Sequence, residues 1–75
     1  MTASMEKNLR EYMNRYYTPD QLKEYSAQML AFSYLLGMPA EECRDMYPES
    51  DWSNEQLEEY DDIEGMLHRI KSELD

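Results

Sequence analysis

The sequence has few of the residues that form disulfides, metal sites and phosphate-binding loops. Its 75 residues include one cysteine, one histidine and two glycines. A lone cysteine cannot form an internal disulfide, and with a single histidine it offers too few ligands for a structural zinc site. So few glycines leave no phosphate-cradling loop. We therefore expect a protein without cofactor, metal or enzymatic activity, and the single Cys43 favours a reducing compartment.

Long apolar runs and basic residues are also scarce. No apolar stretch approaches the roughly 18 residues that a membrane-spanning helix requires, and residues 1–10 lack the basic and apolar regions of a secretory signal. Seven basic residues stand against 17 acidic ones, for a formal charge of −10. A surface of this sign disfavours direct binding to DNA, RNA or an anionic membrane. We expect a cytoplasmic protein that binds none of them directly.

Apolar residues recur at helical spacing over most of the chain. Steps of three and four residues predict amphipathic helices over residues 4–17, 19–36 and 54–73, with a short third helix over 39–47. No strand alternation and no internal repeat is present. The sequence therefore predicts a single all-α domain over residues 1–75, a compact four-helix bundle with a short third helix.

Capping signals stand at the predicted helix boundaries. Thr18 with Gln21 forms a capping box before the second helix, and Ser53 with Gln56 forms another before the last helix. Gly37 is placed to end the second helix in the left-handed conformation that glycine tolerates. These signals predict where the second helix begins and ends and where the last one begins.

The second and third predicted helices have the spacing of a helix-turn-helix corner. Ser33, Gly37 and Cys43 stand where such a corner places its small, turn and buried residues. A DNA-reading member carries basic or amide side chains on its second helix, whereas residues 39–45 hold three acids and one base. We interpret the corner as a packing device and Cys43 as a buried core residue. A divergent helix-turn-helix transcription factor remains an alternative function.

The negative charge is concentrated in one segment. Residues 1–40 and 65–75 each sum to zero, whereas residues 41–64 hold eleven acids and one base. Such a segment is either a solvated face that keeps a small protein soluble or a binding surface for a basic partner. We predict that it binds a basic, nucleic-acid-binding groove of a partner protein. The predicted contacts are Glu55, Glu58, Glu59, Asp61 and Asp62 on the last helix, with Glu41, Glu42 and Asp45 as a second patch.

Tyrosine and methionine are more numerous than a small core can hold, at seven residues each. Both residue types are enriched at protein interfaces, where they give large or adaptable contact areas. An alternative function is therefore a helical adaptor or regulatory module. It would bind a partner, or a second copy in a homodimer, through the apolar side chains of Tyr34, Tyr47 and Met66.

One charged residue interrupts the apolar stripe of the last helix. Glu64 falls inside the apolar arc, one heptad before Lys71. This placement predicts either a salt bridge at the boundary of the core or a polar residue that orients the helix against a partner.

The C-terminal residues resemble a known group of small inhibitors. The run Ile70-Lys71-Ser72-Glu73-Leu74-Asp75 is similar to the Lys-Ser-Glu-Leu tails of some type II anti-CRISPR proteins. In size, acidity and lack of catalytic residues the chain resembles phage-encoded inhibitors of host defence and nucleic-acid enzymes. Joined to the charge distribution, the resemblance implies an inhibitor that mimics nucleic-acid phosphates.

Overall fold

Four α-helices and one 3₁₀ turn make up most of the chain. The computed structural model describes residues 2–74 and the side chains of residues 3–74. No strand occurs in this part of the chain, so the all-α prediction is confirmed. In chain order the elements are α1 (Thr2–Tyr16), α2 (Pro19–Glu24), α3 (Ala27–Leu36), the 3₁₀ turn (Ala40–Cys43) and α4 (Asn54–Glu73). The final residue of the C-terminal resemblance, Asp75, lies outside the described residues.

The core forms around α3, which packs against α4 and the 3₁₀ turn, while α1 packs against α4. Leu9 and Met13 of α1 and Ile63 and Leu67 of α4 are at most 1% exposed, as their helical spacing predicts. Full burial of a side chain of this size contributes about 1.5–3 kcal/mol. Tyr16 continues the same helical spacing three residues after Met13, but it is the last residue of α1 and is 58% exposed.

The predicted helix over residues 19–36 is two helices in the structure. It ends first at Glu24, and Tyr25 takes an extended conformation. The Ser26 hydroxyl then accepts a hydrogen bond from the Met29 N–H at 3.1 Å and begins α3 as a new N-cap. The prediction of one continuous helix was wrong because the apolar spacing continues through the break. The third helical position after Ser26 also holds no Gln or Glu, so the sequence shows no capping box that would predict a helix start there.

The three predicted capping features are confirmed. The Gln21 N–H donates to the Thr18 hydroxyl at 3.2 Å and the Thr18 N–H donates to the Gln21 side chain at 2.9 Å. Ser53 and Gln56 make the same pair of bonds at 3.2 and 2.8 Å. Gly37 ends α3 with φ at 67°, in the left-handed region.

The third predicted helix, over residues 39–47, is a single 3₁₀ turn. A hydrogen-bonded chain of side chains holds this turn against α1 and α3. The Ala40 N–H donates to the Tyr17 hydroxyl at 2.9 Å, the Tyr17 hydroxyl donates to Ser33 at 2.6 Å, and Ser33 donates to the Met38 carbonyl. These side-chain bonds fix the start of the turn, and its backbone bonds join residues three apart, from the Glu42 N–H to the Pro39 carbonyl at 3.0 Å and from the Met46 N–H to the Cys43 carbonyl at 3.2 Å.

Lys71 joins α4 to α2 and does not pair with Glu64. Its ammonium group has three N–H donors. They reach three carbonyl oxygens at the end of α2, those of Leu22, Lys23 and Tyr25. Glu64 instead lies 3.5 Å from the Nε2 atom of His68, one helical turn along α4. The predicted salt bridge was therefore wrong, because the backbone at the end of α2 offers Lys71 more acceptors than one carboxylate.

Candidate functional site

The outward side of α4 carries the larger group of predicted contacts. Tyr60, Ile63 and Leu67 turn the opposite side of this helix into the core. The carboxylates at the remaining positions of the first three turns therefore face solvent. All five are exposed, and we call them the α4 acidic face: Glu55, Glu58, Glu59, Asp61 and Asp62.

The α4 acidic face has a charge density close to that of a nucleic acid. A helix rises 1.5 Å per residue, so residues 55–62 extend about 10 Å along the axis and carry roughly one charge per 2 Å. Duplex DNA carries one charge per about 1.7 Å and a single strand one per about 3.4 Å. Since a helix fixes the backbone positions of these acids, only their side chains need to be ordered when a partner binds.

The second predicted group lies on the 3₁₀ turn and just beyond it. Glu41, Glu42 and Asp45 are all exposed, and we call them the turn acidic patch. Glu41 is held in place, because the Tyr25 hydroxyl donates a 2.7 Å hydrogen bond to its carboxylate. This bond, with burial of the Tyr25 ring, raises the pKa of Tyr25 to about 12.

The ion pairs with arginine involve acids near the two ends of the chain. Arg10 contacts Glu73 through two nitrogens at 2.7 and 3.1 Å, and Arg69 contacts Glu6 at 2.8 Å. These pairs connect α1 with α4 and neutralise the acids near the chain ends. Within residues 2–74, no lysine or arginine pairs with an acid of residues 41–64. Neutralisation of the acidic segment is therefore left to solvent ions or to a partner.

The three predicted apolar contacts differ in how far their side chains are exposed. Tyr47 is 66% exposed. Tyr34 is half-buried and packs edge-on against Tyr12, with ring centroids 5.1 Å apart. Met66 is 3% exposed and belongs to the core, so its predicted surface position was wrong. It lies at the edge of the α4 stripe, where the wheel alone does not decide burial, and the core closes over it.

An apolar groove lies between the end of α3 and the loop that precedes α4. It measures about 540 Å³, with the buried Phe32 ring among the residues that line it. Leu36 and Tyr47 are its exposed apolar side chains, at 49% and 66% exposure. Trp52 packs on Phe32 with ring centroids 5.6 Å apart. Sequence reasoning missed this groove, because Leu36 stands at helical spacing from the buried Met29 and Phe32 and because the loop brings distant residues together.

Acids of both predicted groups border this groove. Asp45 of the turn acidic patch and Glu49 are among its lining residues. An adjoining hollow of about 250 Å³ shares Leu36 and Trp52 and is lined by Glu59 of the α4 acidic face. The structure thus brings one predicted apolar contact, Tyr47, and members of both acidic groups to a single surface.

The helix-turn-helix corner lacks the element that would read DNA. The 3₁₀ turn over residues 40–43 is about one helical turn, whereas a recognition helix lies along the major groove. Cys43 is buried as expected, and its thiol hydrogen-bonds the Pro39 carbonyl at 3.5 Å. Burial and the nearby Glu42 raise the pKa of Cys43, which keeps the thiol protonated. The corner thus places Cys43 in the core and contains a 3₁₀ turn where the sequence predicts a helix.

The described residues match neither of two further patterns, a metal-ligand cluster and a membrane-spanning helix. Among residues 2–74, no three His, Cys, Asp or Glu side chains are grouped to hold a metal ion. The same part of the chain contains no helix of the length and apolarity needed to cross a membrane. No protein-family model, curated protein or solved structure matches the chain.

Proposed function

We propose that this protein is a non-enzymatic inhibitor that binds a partner protein in the cytoplasm and occupies its basic nucleic-acid-binding surface. One observation carries the proposal: the whole net charge of the protein lies in residues 41–64, where no lysine or arginine of residues 2–74 pairs with it. A surplus of this size repels itself by a few tenths of a kcal/mol for each neighbouring pair on a helix. A cationic partner surface would relieve that repulsion.

Nucleic-acid mimicry is the mode of binding that the geometry favours. The α4 acidic face spaces its charges between the values for single-stranded and duplex DNA. Lysines and arginines with which the partner binds phosphates would meet carboxylates at a similar charge density. Electrostatic attraction would make association fast, and added salt would weaken it. The same charge disfavours direct binding to nucleic acid. The resemblance of the C-terminal residues to anti-CRISPR tails supports a phage-encoded inhibitor of a defence nuclease.

A displacement experiment tests this function. Proteins from a lysate of the host cell are loaded on immobilised random-sequence duplex DNA, and on RNA in parallel, and are eluted with the protein at constant ionic strength. We expect the protein to release at least one nucleic-acid-binding protein. The triple variant Glu58→Lys, Glu59→Lys, Asp62→Lys should release none, because it replaces three exposed carboxylates of the α4 acidic face with bases.

A second triple variant provides the control. Glu11→Lys, Asp20→Lys, Glu24→Lys changes the net charge by the same amount at exposed positions outside residues 41–64. It should release the same protein as the unmodified chain, and circular dichroism checks that both variants keep their helices. Equal release by both triple variants, or no release by the unmodified protein, would contradict the proposed function.

A homodimeric adaptor is a second candidate function. An exposed aromatic cluster on α1 favours it. Tyr16 is 58% exposed, and its ring centroid lies 4.7 Å from that of Tyr12. Tyr12 in turn packs on Tyr34, one of the predicted apolar contacts. This aromatic cluster lies in residues 1–40, whose formal charge is zero, so the contact surface itself adds no net charge against a second copy. Light scattering after size-exclusion chromatography tests it: a dimer that Tyr16→Ser dissociates supports the adaptor, and a monomer rejects this mode.

A further inference from the structure

We propose that the apolar groove binds an aromatic side chain that stands among lysines and arginines on the partner. The proposal rests on the proposed function and names the chemistry that the partner presents. Proteins that bind single-stranded nucleic acid combine a positively charged groove with aromatic side chains on which bases stack. A partner surface of this kind supplies both the charge and the aromatic ring that the groove fits.

The residues of the groove form a site for an apolar group. The Phe32 ring is 1% exposed and packs on Trp52 and on Tyr60, at centroid distances of 5.6 and 5.1 Å. Leu36 and Tyr47 remain about half and two-thirds exposed. The volume of about 540 Å³ lies within the range of sites that enclose small ligands. An aromatic ring placed there would cover exposed apolar surface and contact the Trp52 ring.

The negative charges around the groove favour basic residues beside the aromatic ring of the partner. Asp45 and Glu49 line the groove, and Glu59 lines the adjoining hollow. In the part of the chain that the structure describes, none of the three pairs with a lysine or arginine. Lysines or arginines beside the aromatic residue would therefore meet unpaired carboxylates. A second copy of this chain is a poor occupant of the groove, because its own acids would face the acids of the groove and repel them.

Synthetic peptides and the fluorescence of Trp52 test the proposal. Trp52 is the only tryptophan of the chain, so its emission reports on the groove. The probes are a nine-residue peptide of lysines with one central phenylalanine, the same peptide with central serine, and a glutamate peptide with central phenylalanine. We expect the phenylalanine–lysine peptide to change the emission of Trp52 and to bind about tenfold more tightly than the serine peptide. The glutamate peptide should not bind.

Two variants and a matched control locate the effect. Leu36→Ser and Tyr47→Ser should each remove the preference for phenylalanine over serine. Tyr47 lies in a loop and is mostly exposed, so its variant keeps the proposal testable if Leu36→Ser unfolds. Tyr16→Ser removes an aromatic ring of similar exposure from α1, 58% against 66% for Tyr47, and should leave the preference unchanged because Tyr16 does not line the groove.

The possible outcomes separate this proposal from the proposed function. Equal affinity for the phenylalanine and serine peptides, or no response of Trp52 to any probe, overturns the groove proposal. The displacement experiment decides the acidic surface separately when it is repeated with Glu58→Lys, Asp62→Lys, because this double variant keeps Glu59 and the groove residues Leu36, Tyr47 and Trp52 in place. A phenylalanine preference that persists in Leu36→Ser and Tyr47→Ser also overturns the proposal, since it places the ring elsewhere.

Discussion

Lys71 shows how one side chain fixes the relation of two helices. The C-terminal end of a helix carries a partial negative charge and carbonyls without intrahelical partners. With only six residues, α2 has few internal hydrogen bonds of its own. The Lys71 ammonium group satisfies three carbonyls at that end and ties them to α4. The sequence alone does not show which lysine on a helix face will bond the carbonyls at the end of another helix.

Replacing Lys71 should destabilise the fold. Hydrogen bonds that involve a charged group contribute about 1.5–3 kcal/mol, so we expect Lys71→Met to lower the free energy of unfolding by roughly that amount. Urea denaturation followed by circular dichroism measures it. Lys7→Met, at an exposed position of α1, is the control and should change stability by less than about 0.5 kcal/mol. Equal effects of the two variants would show that the Lys71 bonds contribute nothing.

The contact between Arg10 and Glu73 makes a prediction about pH. Hydrogen bonding and attraction from Arg10 lower the pKa of Glu73 in the folded protein. A lowered folded-state pKa gives stability that is present above the ordinary pKa of glutamate and lost as pH falls through the folded-state value. We expect Arg10→Met to raise the pKa of Glu73 toward the ordinary range.

Carboxyl NMR titration of Glu73 measures this shift. Arg15→Met is the matched control, because Arg15 is an exposed arginine of the same helix that makes no ion pair within residues 2–74. It should leave the Glu73 titration unchanged. A Glu73 pKa that stays low in Arg10→Met would refute the assigned cause.

At the scale of elements, local signals predicted the parts of the fold that depend on neighbouring residues. The two capping boxes and the left-handed Gly37 each involve residues a few positions apart, and each is present. The end of α2 is bonded by Lys71 of α4, and the 3₁₀ turn that replaces the third predicted helix is bonded by Tyr17, so both involve distant contacts. The Tyr17 hydroxyl holds the turn across 23 positions, and such contacts leave no periodic pattern in the sequence.

The break between α2 and α3 depends on the Ser26 cap. Loss of an N-cap side chain costs about 1 kcal/mol, so Ser26→Ala should lower the free energy of unfolding by about that amount. Thermal and urea unfolding measure the change. Ser50→Ala, at an exposed serine in the loop before α4, should be close to neutral. If Ser26→Ala were instead as stable as the unmodified protein, the cap would not be what starts α3.

The candidate site was predictable in its charges and not in its shape. The exposure of Glu58, Asp61 and Asp62 follows from the helical wheel, since the same wheel places Ile63 and Leu67 in the core. Glu59 falls within the buried arc of that wheel and is nevertheless exposed. The apolar groove requires Leu36 at the end of α3 and Tyr47 in the loop to lie near each other. The loop between the 3₁₀ turn and α4 sets that proximity, and its conformation follows no periodic rule.

At the scale of the whole molecule, charge is distributed very unevenly. Arginines near both chain ends pair with acids and connect α1 to α4, whereas the acids of residues 41–64 pair with no lysine or arginine of the described chain. The ion pairs therefore connect the neutral parts, whereas residues 41–64 contribute Cys43, Tyr60 and Ile63 to the core and add self-repulsion at the surface. That division of roles suits a small protein whose binding energy comes from a cationic partner.

The most direct test is the affinity for the protein released from immobilised DNA, measured by calorimetry from about 50 to 200 mM salt. If the acidic segment binds a cationic surface, affinity should fall by about tenfold or more over this range, because salt screens exposed charges. The control Glu11→Lys, Asp20→Lys, Glu24→Lys should show the same salt dependence. An affinity that stays constant as salt rises would contradict the account.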